Sequence, residues 1–193
     1  MSHWFARIAV FIACVALIAI RAPHGHRSLK VAIRKSYKGA LEKALLPIAM
    51  LSFFVPVIWV VTPLLSFADY PLRPPVFYTG LGCYIIGLMI FHRSHTDLGT
   101  NWSVSLEVRE THTLVTNGVY QRVRHPMYTA LLIYSLGQTL ALPNYFAGPS
   151  YLVVMTLLIA VRLPQEERMM REEFGAAYDE YCRHTKRLIP GVF

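Results

Sequence analysis

Acidic residues are scarce in this chain of 193 residues: 11 Asp and Glu stand against 19 Lys and Arg, a formal charge of +8. An excess of that kind suits nucleic acid or a membrane, and placement decides between them. The basic residues cluster between apolar runs, as membrane topology requires, so no nucleic-acid partner is expected. Cysteine is scarcer still. Cys14, Cys83 and Cys182 are isolated, with no CxxC, and imply neither a disulfide framework nor a zinc site; they read as packing residues. None lies in the terminal PGVF, so no CaaX prenylation signal is expected. His92 and His95 lie three apart beside Asp97, but without a second ligand pair they read as interfacial polar residues, and no metal is expected. Internal repeats, low-complexity tracts and a basic, glycine-rich phosphate loop are also missing.

What is abundant is hydrocarbon. Hydrophobic residues make up 54% of the chain and the mean hydropathy is +0.40, too apolar for an ordinary soluble domain of this size. The expected fold is all-α: a single integral-membrane domain over residues 1–193 with five transmembrane helices. The spans are placed at 4–20, 44–68, 76–91, 127–142 and 146–161. In the first, Arg7 sits near enough to the end to snorkel. Residues 21–43 carry Arg21, Arg27, Lys30, Arg34, Lys35, Lys38 and Lys43 against the single acid Glu42, which holds that loop in the cytoplasm and puts the N-terminus outside. Pro47, Pro56 and Pro63 should kink the second span rather than end it. Gly80, Gly82 and Gly87 offer the third span small surfaces for close helix contact. The last two spans form a hairpin around Pro143-Asn144-Tyr145. The segments 92–126 and 162–193 then lie together on the cytoplasmic side, with the C-terminus.

The segment after Pro164 reads as an amphipathic helix with Met170, Phe174, Ala177, Tyr178 and Tyr181 on one face, packed on the protein or the membrane interface. It is expected to cap a polar pocket. The other side of that pocket is the stretch GVYQRVRHPMYTA (118–130), which sets Arg122, Arg124, His125 and two tyrosines against the opening of an apolar helix. Pro126 suits the first helical turn, where its missing N–H costs nothing. His125 then occupies the cap region beside a partly positive helix start, which favours an anion. Asn117-Gly118 signals a turn leading to the same mouth. Arg122 and Arg124 read as topology and surface charge. Arg162 and Glu166 lie four apart at the end of the fifth run, and would share a face if the helix continued through Pro164. A stop-transfer charge with an ordinary surface ion pair is the alternative.

Together LGTNWS (98–103), HTLVTNGVYQRVRHPMY (112–128), RLPQEE (162–167) and FGAAYDEYCRHTKRLIP (174–190) resemble the isoprenylcysteine carboxyl methyltransferase family and its prokaryotic and archaeal relatives. These are small membrane enzymes that use S-adenosylmethionine and release S-adenosylhomocysteine. The resemblance implies that His112, Thr113, Leu114 and Val115 line the adenosyl end of the cofactor, with Tyr120 beside them. It implies that His125, Pro126, Met127 and Tyr128 hold the rest, that Glu166 contacts the cofactor, and that Arg162 meets the substrate carboxylate. Arg162 and Glu166 are the expected catalytic pair, and whether Glu166 or Glu167 is the functional carboxylate stays open. Pro164 departs from the family pattern.

The expected activity is methyl esterification of a lipid-modified, prenylated cysteine at the membrane interface, in the cell membrane of a prokaryote or the endoplasmic reticulum of a eukaryote. The partners are a lipophilic prenylcysteine-like substrate and membrane lipids, with no oligomer implied. A carboxylate with a reference pKa of about 4 is already ionised at neutral pH and requires no base. A phospholipid amine N-methyltransferase is the nearest alternative, which would need Glu166 or Glu167 as base; a sterol-type reductase and a non-catalytic membrane scaffold are the others.

Overall fold

The computed structural model describes residues 2–28, 33–36, 39–101, 107–109 and 113–193. Among them seven α-helices follow in order: α1 (His3–Ser28), α2 (Ala40–Ser52), α3 (Val55–Val61), α4 (Pro74–Leu98), α5 (Pro126–Ala141), α6 (Ala147–Phe174) and α7 (Ala176–His184). Two short strands, β1 (Ile33–Ser36) and β2 (Glu107–Arg109), pair antiparallel with an irregularity between Ile33 and Lys35. The helical expectation thus gains one small ribbon, built from two polar segments that were read as loops.

Four helical stretches are long and apolar enough to cross a membrane: His3–Gly25, Leu41–Val61, Pro74–Leu98 and Ala147–Phe174. The fourth expected span, 127–142, corresponds to α5, which at 16 residues falls short of the about 20 that a bilayer core requires. The second span differs from its expected course. The helix breaks at Phe53 and Phe54, where Pro56 opens α3: its ring would clash with the carbonyl of Ser52 and it has no N–H to give. Pro63 then forces Thr62 into an extended conformation (φ −135°, ψ 159°), so helix ends at Val61 rather than near residue 68.

The tightest packing is between α4 and α5, and glycine makes it possible. A Cβ at Gly80 would stand 2.7 Å from the backbone N of Ala141, and one at Gly137 would stand 2.9 Å from Gly80 O. Gly87 meets Tyr134 in the same way, whereas Gly82 faces open space and contributes nothing to this seam. Close backbone approach of this kind replaces the hydrophobic driving force that lipid removes. Around the seam Tyr84 and Tyr134 pack edge to face at 4.9 Å, and the Tyr134 hydroxyl donates to the buried Cys14 sulfur at 3.8 Å. α1 packs on α4, and α2 on α6.

A polar lock closes the end of the bundle away from the pocket. Asp69 accepts from Trp59 Nε1 and from Asn144 Nδ2, each at 2.7 Å. The Asn144 Oδ1 accepts from the Phe146 and Ala147 amides at 3.0 and 2.7 Å, satisfying N–H groups that the start of α6 would otherwise leave bare. The expected hairpin between α5 and α6 is therefore pinned by its asparagine, which sits next to Pro143.

Helix α6 decides the geometry of the site. It was expected to end near residue 161, with a separate amphipathic helix after Pro164; instead it runs unbroken through Pro164 to Phe174. The proline sits on the exposed side while Arg162, Leu163, Glu167 and Met169 are buried around it. Packing on the flanks holds the turn that the missing N–H weakens. The chain turns instead at Gly175 (φ 51°), and only α7 remains as the terminal helix.

Candidate active site

The wall nearest the end of α4 is a loop held by side-chain bonds. Asn101 accepts from the Thr113 amide at 3.0 Å and donates to its hydroxyl at 3.1 Å. Asp97, in the last turn of α4, accepts from the Val119 amide at 2.9 Å. That bond exists because residue 118 is glycine: φ is +59°, and a Cβ there would fall 2.1 Å from Asp97 Oδ2. The turn it makes buries Tyr120, whose carbonyl accepts from the Tyr181 hydroxyl of α7 at 2.5 Å.

Next along the chain, Arg124 and His125 are clamped by the segment after α7. The Arg124 amide donates to Lys186 O at 2.8 Å, His125 N to Arg187 O at 3.0 Å, and the Thr129 hydroxyl to Leu188 O at 2.7 Å. At the centre lies Glu167, only 1% exposed. Arg124 Nε and Nη2 reach its Oε1 at 2.9 and 2.6 Å, and Arg187 Nε and Nη2 reach Oε2 at 3.0 Å each. Arg124 also donates to the Thr185 carbonyl. A buried carboxylate is costly to desolvate unless its lone pairs are filled, and two forked guanidinium groups do this. Arg124, read from the sequence as surface charge, is therefore an internal tie.

Pro126 begins α5 at its first position, as expected, and His125 is the residue before it, although its ring makes no cap bond. The imidazole lies between two carboxylates, 3.6 Å from Glu166 Oε1 and 3.4 Å from Glu167 Oε1, and stacks on Tyr128 at 5.6 Å and 14°. Burial pushes the His125 pKa down. Its close pairing with the Glu166 and Glu167 carboxylates overcomes that, so the net shift is upward. Tyr128 donates its hydroxyl to Glu166 Oε2.

Asn101, Arg124, His125 and Tyr128 border one cavity of about 460 Å³, within the roughly 300–1,000 Å³ of small-molecule sites. Thr113, Leu114, Val115, Tyr120, His125, Met127, Tyr128, Arg162 and Glu166 line it, so nearly every residue singled out in the sequence converges there. Pro126 is buried at the helix start but is not part of the lining, and His112 lies outside the described residues. The two acids have separated: Glu166 faces the cavity, whereas Glu167 turns into the clamp. From α7, Tyr178 and Tyr181 join the lining with Met170 of α6, while Ala177 is exposed and off that face. His92 is exposed and His95 buried, so they do not converge on one site.

The opposite wall was not legible. Leu17 and Ile18 of α1, Leu46 and Met50 of α2 and Phe53 just after it form an apolar arm, with Arg21 at its side, that leads past Arg162 toward Met155 and Tyr151. Arg162, 8% exposed, meets the carboxylate of Glu42 at 3.6 Å. One helical turn along α6 from it stands Glu166, so the cavity has a carboxylate-and-imidazole end and a guanidinium end that opens on hydrocarbon.

Residues 80–172 match the isoprenylcysteine carboxyl methyltransferase family. Over that segment the chain is similar to this family. Protein-S-isoprenylcysteine O-methyltransferase B of Arabidopsis thaliana is 34% identical over 115 residues, 58% of this chain and 58% of the relative. The Homo sapiens protein-S-isoprenylcysteine O-methyltransferase is 32% identical over 116 residues, 59% of this chain and 41% of the relative. The chain thus covers less than two thirds of the length of these relatives. A solved structure of a eukaryotic intramembrane Ras methyltransferase, isoprenylcysteine carboxyl methyltransferase, superposes with TM-score 0.52 and 24% identity, covering 80% of this chain and 54% of that one; the likeness is one of fold. The matched segment holds α5, Arg162 and Glu166 but neither α1 nor α2, so the apolar wall lies outside it.

Proposed function

We propose that the protein is a membrane methyltransferase that uses S-adenosylmethionine to esterify the carboxylate of a prenylated cysteine. The observation that carries this reading is the placement of Arg162 and Glu166 one turn apart on a single wall, one beside the apolar arm and the other beside His125 and Tyr128. The donor fits the second end. Glu166 is an anionic partner for its amino group, Thr113, Leu114, Val115 and Tyr120 offer a mixed polar and apolar bed for the adenosyl part, and tyrosine faces attract a sulfonium by about 1 kcal/mol. Met127 and Tyr128 continue that bed. His112 belongs to the same stretch of sequence and is proposed as a further adenosyl contact.

S-adenosylmethionine supplies an electrophilic methyl group. The chain supplies order and dryness. Arg162 fixes the plane of the acceptor carboxylate through two parallel N–H groups without giving up a proton, and the carboxylate, already ionised, requires no base. Charges cancel as the ester forms, so water, which stabilises the charged reactants, is unhelpful and is kept out by Leu46, Met50, Met155 and Leu158. Orientation of this kind can reach effective molarities of about 10⁵ M or more. The apolar arm leads a lipid tail toward the bilayer, while the loop around Thr113 meets the aqueous side.

In this reading α5 completes a fifth, short crossing, sheltered between α4 and α6. The basic segment 21–43 sets the orientation, with the N-terminus outside and the C-terminus and pocket cytoplasmic. Arg162 disfavours a cationic amine as acceptor. The test is purified protein in detergent with labelled S-adenosylmethionine, a farnesylcysteine analogue and phosphatidylethanolamine. Base-labile label on the first is expected; stable label on the second alone would replace this function with amine methylation. Arg162→Ala should abolish turnover while leaving binding of S-adenosylhomocysteine intact, which a scaffold role would not require.

A further inference from the structure

Helix α2 and the residue just after it present a stripe of Leu46, Ala49, Met50 and Phe53 to the cavity, at the spacing of one helix face. One turn before Leu46 on that same face stands Glu42, a carboxylate where the pattern continues hydrocarbon. It is 1% exposed, and among the described residues neither of its side-chain oxygens has a hydrogen-bond partner. Its Oε1 lies 3.6 Å from Arg162 Nη1. Burial of an acid with so few bonds is costly. It is explained by Arg162, whose guanidinium Glu42 meets in an apolar wall, with a second carboxylate, Glu166, one turn along α6.

We infer that Glu42 is the resident counter-ion of Arg162, a positioning residue that yields the guanidinium to an incoming acceptor carboxylate and reclaims it once esterification has removed the acceptor's charge. The inference rests on the proposed carboxylate acceptor. Its logic is electrostatic. An acceptor anion entering beside Arg162 is repelled by Glu42, so its binding is weaker than the arginine alone would make it. That repulsion weakens as methyl transfer proceeds: the carboxylate oxygen bonds to the methyl carbon, the methyl–sulfur pair stays on sulfur, and both products are neutral at those atoms. Glu42 therefore disfavours the bound acid more than the transition state, which is the difference that raises turnover.

The test measures KM and kcat for a farnesylcysteine analogue with the full-length protein in detergent and saturating S-adenosylmethionine, comparing the native chain with Glu42→Gln. Loss of the competing charge should lower KM and kcat together, each by roughly tenfold, with the acid form bound more tightly and its methyl ester no more tightly than before. A merely structural Glu42 would lower the active fraction and leave KM unmoved; an unmoved or raised KM overturns the inference. Should Glu42→Gln not be recovered folded, Glu42→Asp draws the same charge back by one methylene and must move KM in the same direction, or the inference falls. A native chain that binds S-adenosylhomocysteine but methylates no carboxylate overturns the proposed function itself, and this inference with it.

Discussion

Substituting Gly118 by alanine tests how the loop over the cavity is built. Two costs arise at one atom. The φ of +59° places a non-glycine residue in the left-handed region at about 1–2 kcal/mol. The new Cβ, 2.1 Å from Asp97 Oδ2, also drives that carboxylate away and breaks its bond from the Val119 amide; a bond to a charged acceptor contributes about 1.5–3 kcal/mol. Gly118→Ala alone should therefore cost about 2.5–5 kcal/mol, and Asp97→Ala alone about 1.5–3 kcal/mol. The double variant loses the bond only once. Its cost should fall short of the sum of the singles by roughly the 1.5–3 kcal/mol of that bond. Because this loop carries Thr113 to Val115 and Tyr120 into the cavity, the cost should appear as weaker binding of S-adenosylhomocysteine, measured by titration calorimetry in detergent. Strictly additive effects, or a Gly118→Ala protein that binds as the native one does, would refute the account.

Four further outcomes follow from the same geometry. Glu167→Gln leaves Arg124 and Arg187 without their shared anion and should destabilise the fold by about 3–5 kcal/mol, seen as a lower thermal midpoint and as new protease cleavage at Lys186 and Arg187. The raised pKa of His125 means that the protonated ring stabilises the folded state fully below the ordinary histidine pKa of about 6.5, and that this contribution is lost as pH rises through the higher folded value; stability should decline across that interval, and His125→Gln should flatten the decline. Tyr128→Phe keeps the stack on His125 but removes the donor to Glu166, so S-adenosylhomocysteine affinity should shift by about ten- to a hundredfold, in the range of one hydrogen bond to a charged group. Gly137→Ala has no room against Gly80 O and Tyr84 N, and should part α4 from α5 and lower thermal stability by at least about 1–3 kcal/mol, whereas Gly82→Ala should be silent.

Much of this arrangement could be read from residue order alone. Hydropathy located the membrane stretches, proline placed the start of α5, and the RHPMY and RLPQEE pieces held the residues that meet in the cavity. What could not be read depends on contacts between distant segments. Pro164 is locally a helix breaker, and only the burial of Leu163, Glu167 and Met169 around it shows why α6 carries on. Glu166 and Glu167 are alike in sequence; they differ because Arg124 and Arg187 arrive from elsewhere to claim the second. Glu42 counted as one acid in a basic loop, and its meaning appears only where α2 meets α6.

The unbroken passage of α6 through Pro164 has a consequence for how such a protein can diversify. Four residues of helix separate Arg162 from Glu166, about 6 Å along the axis at 1.5 Å per residue. On the proposed function, the backbone itself thus serves as the gauge between acceptor and donor. Selection for a bulkier, shorter or differently shaped lipid can then act on the first two helices without resetting that gauge. Chimeras that exchange residues 1–61 among related chains should trade tail preference and leave the donor's affinity as it was.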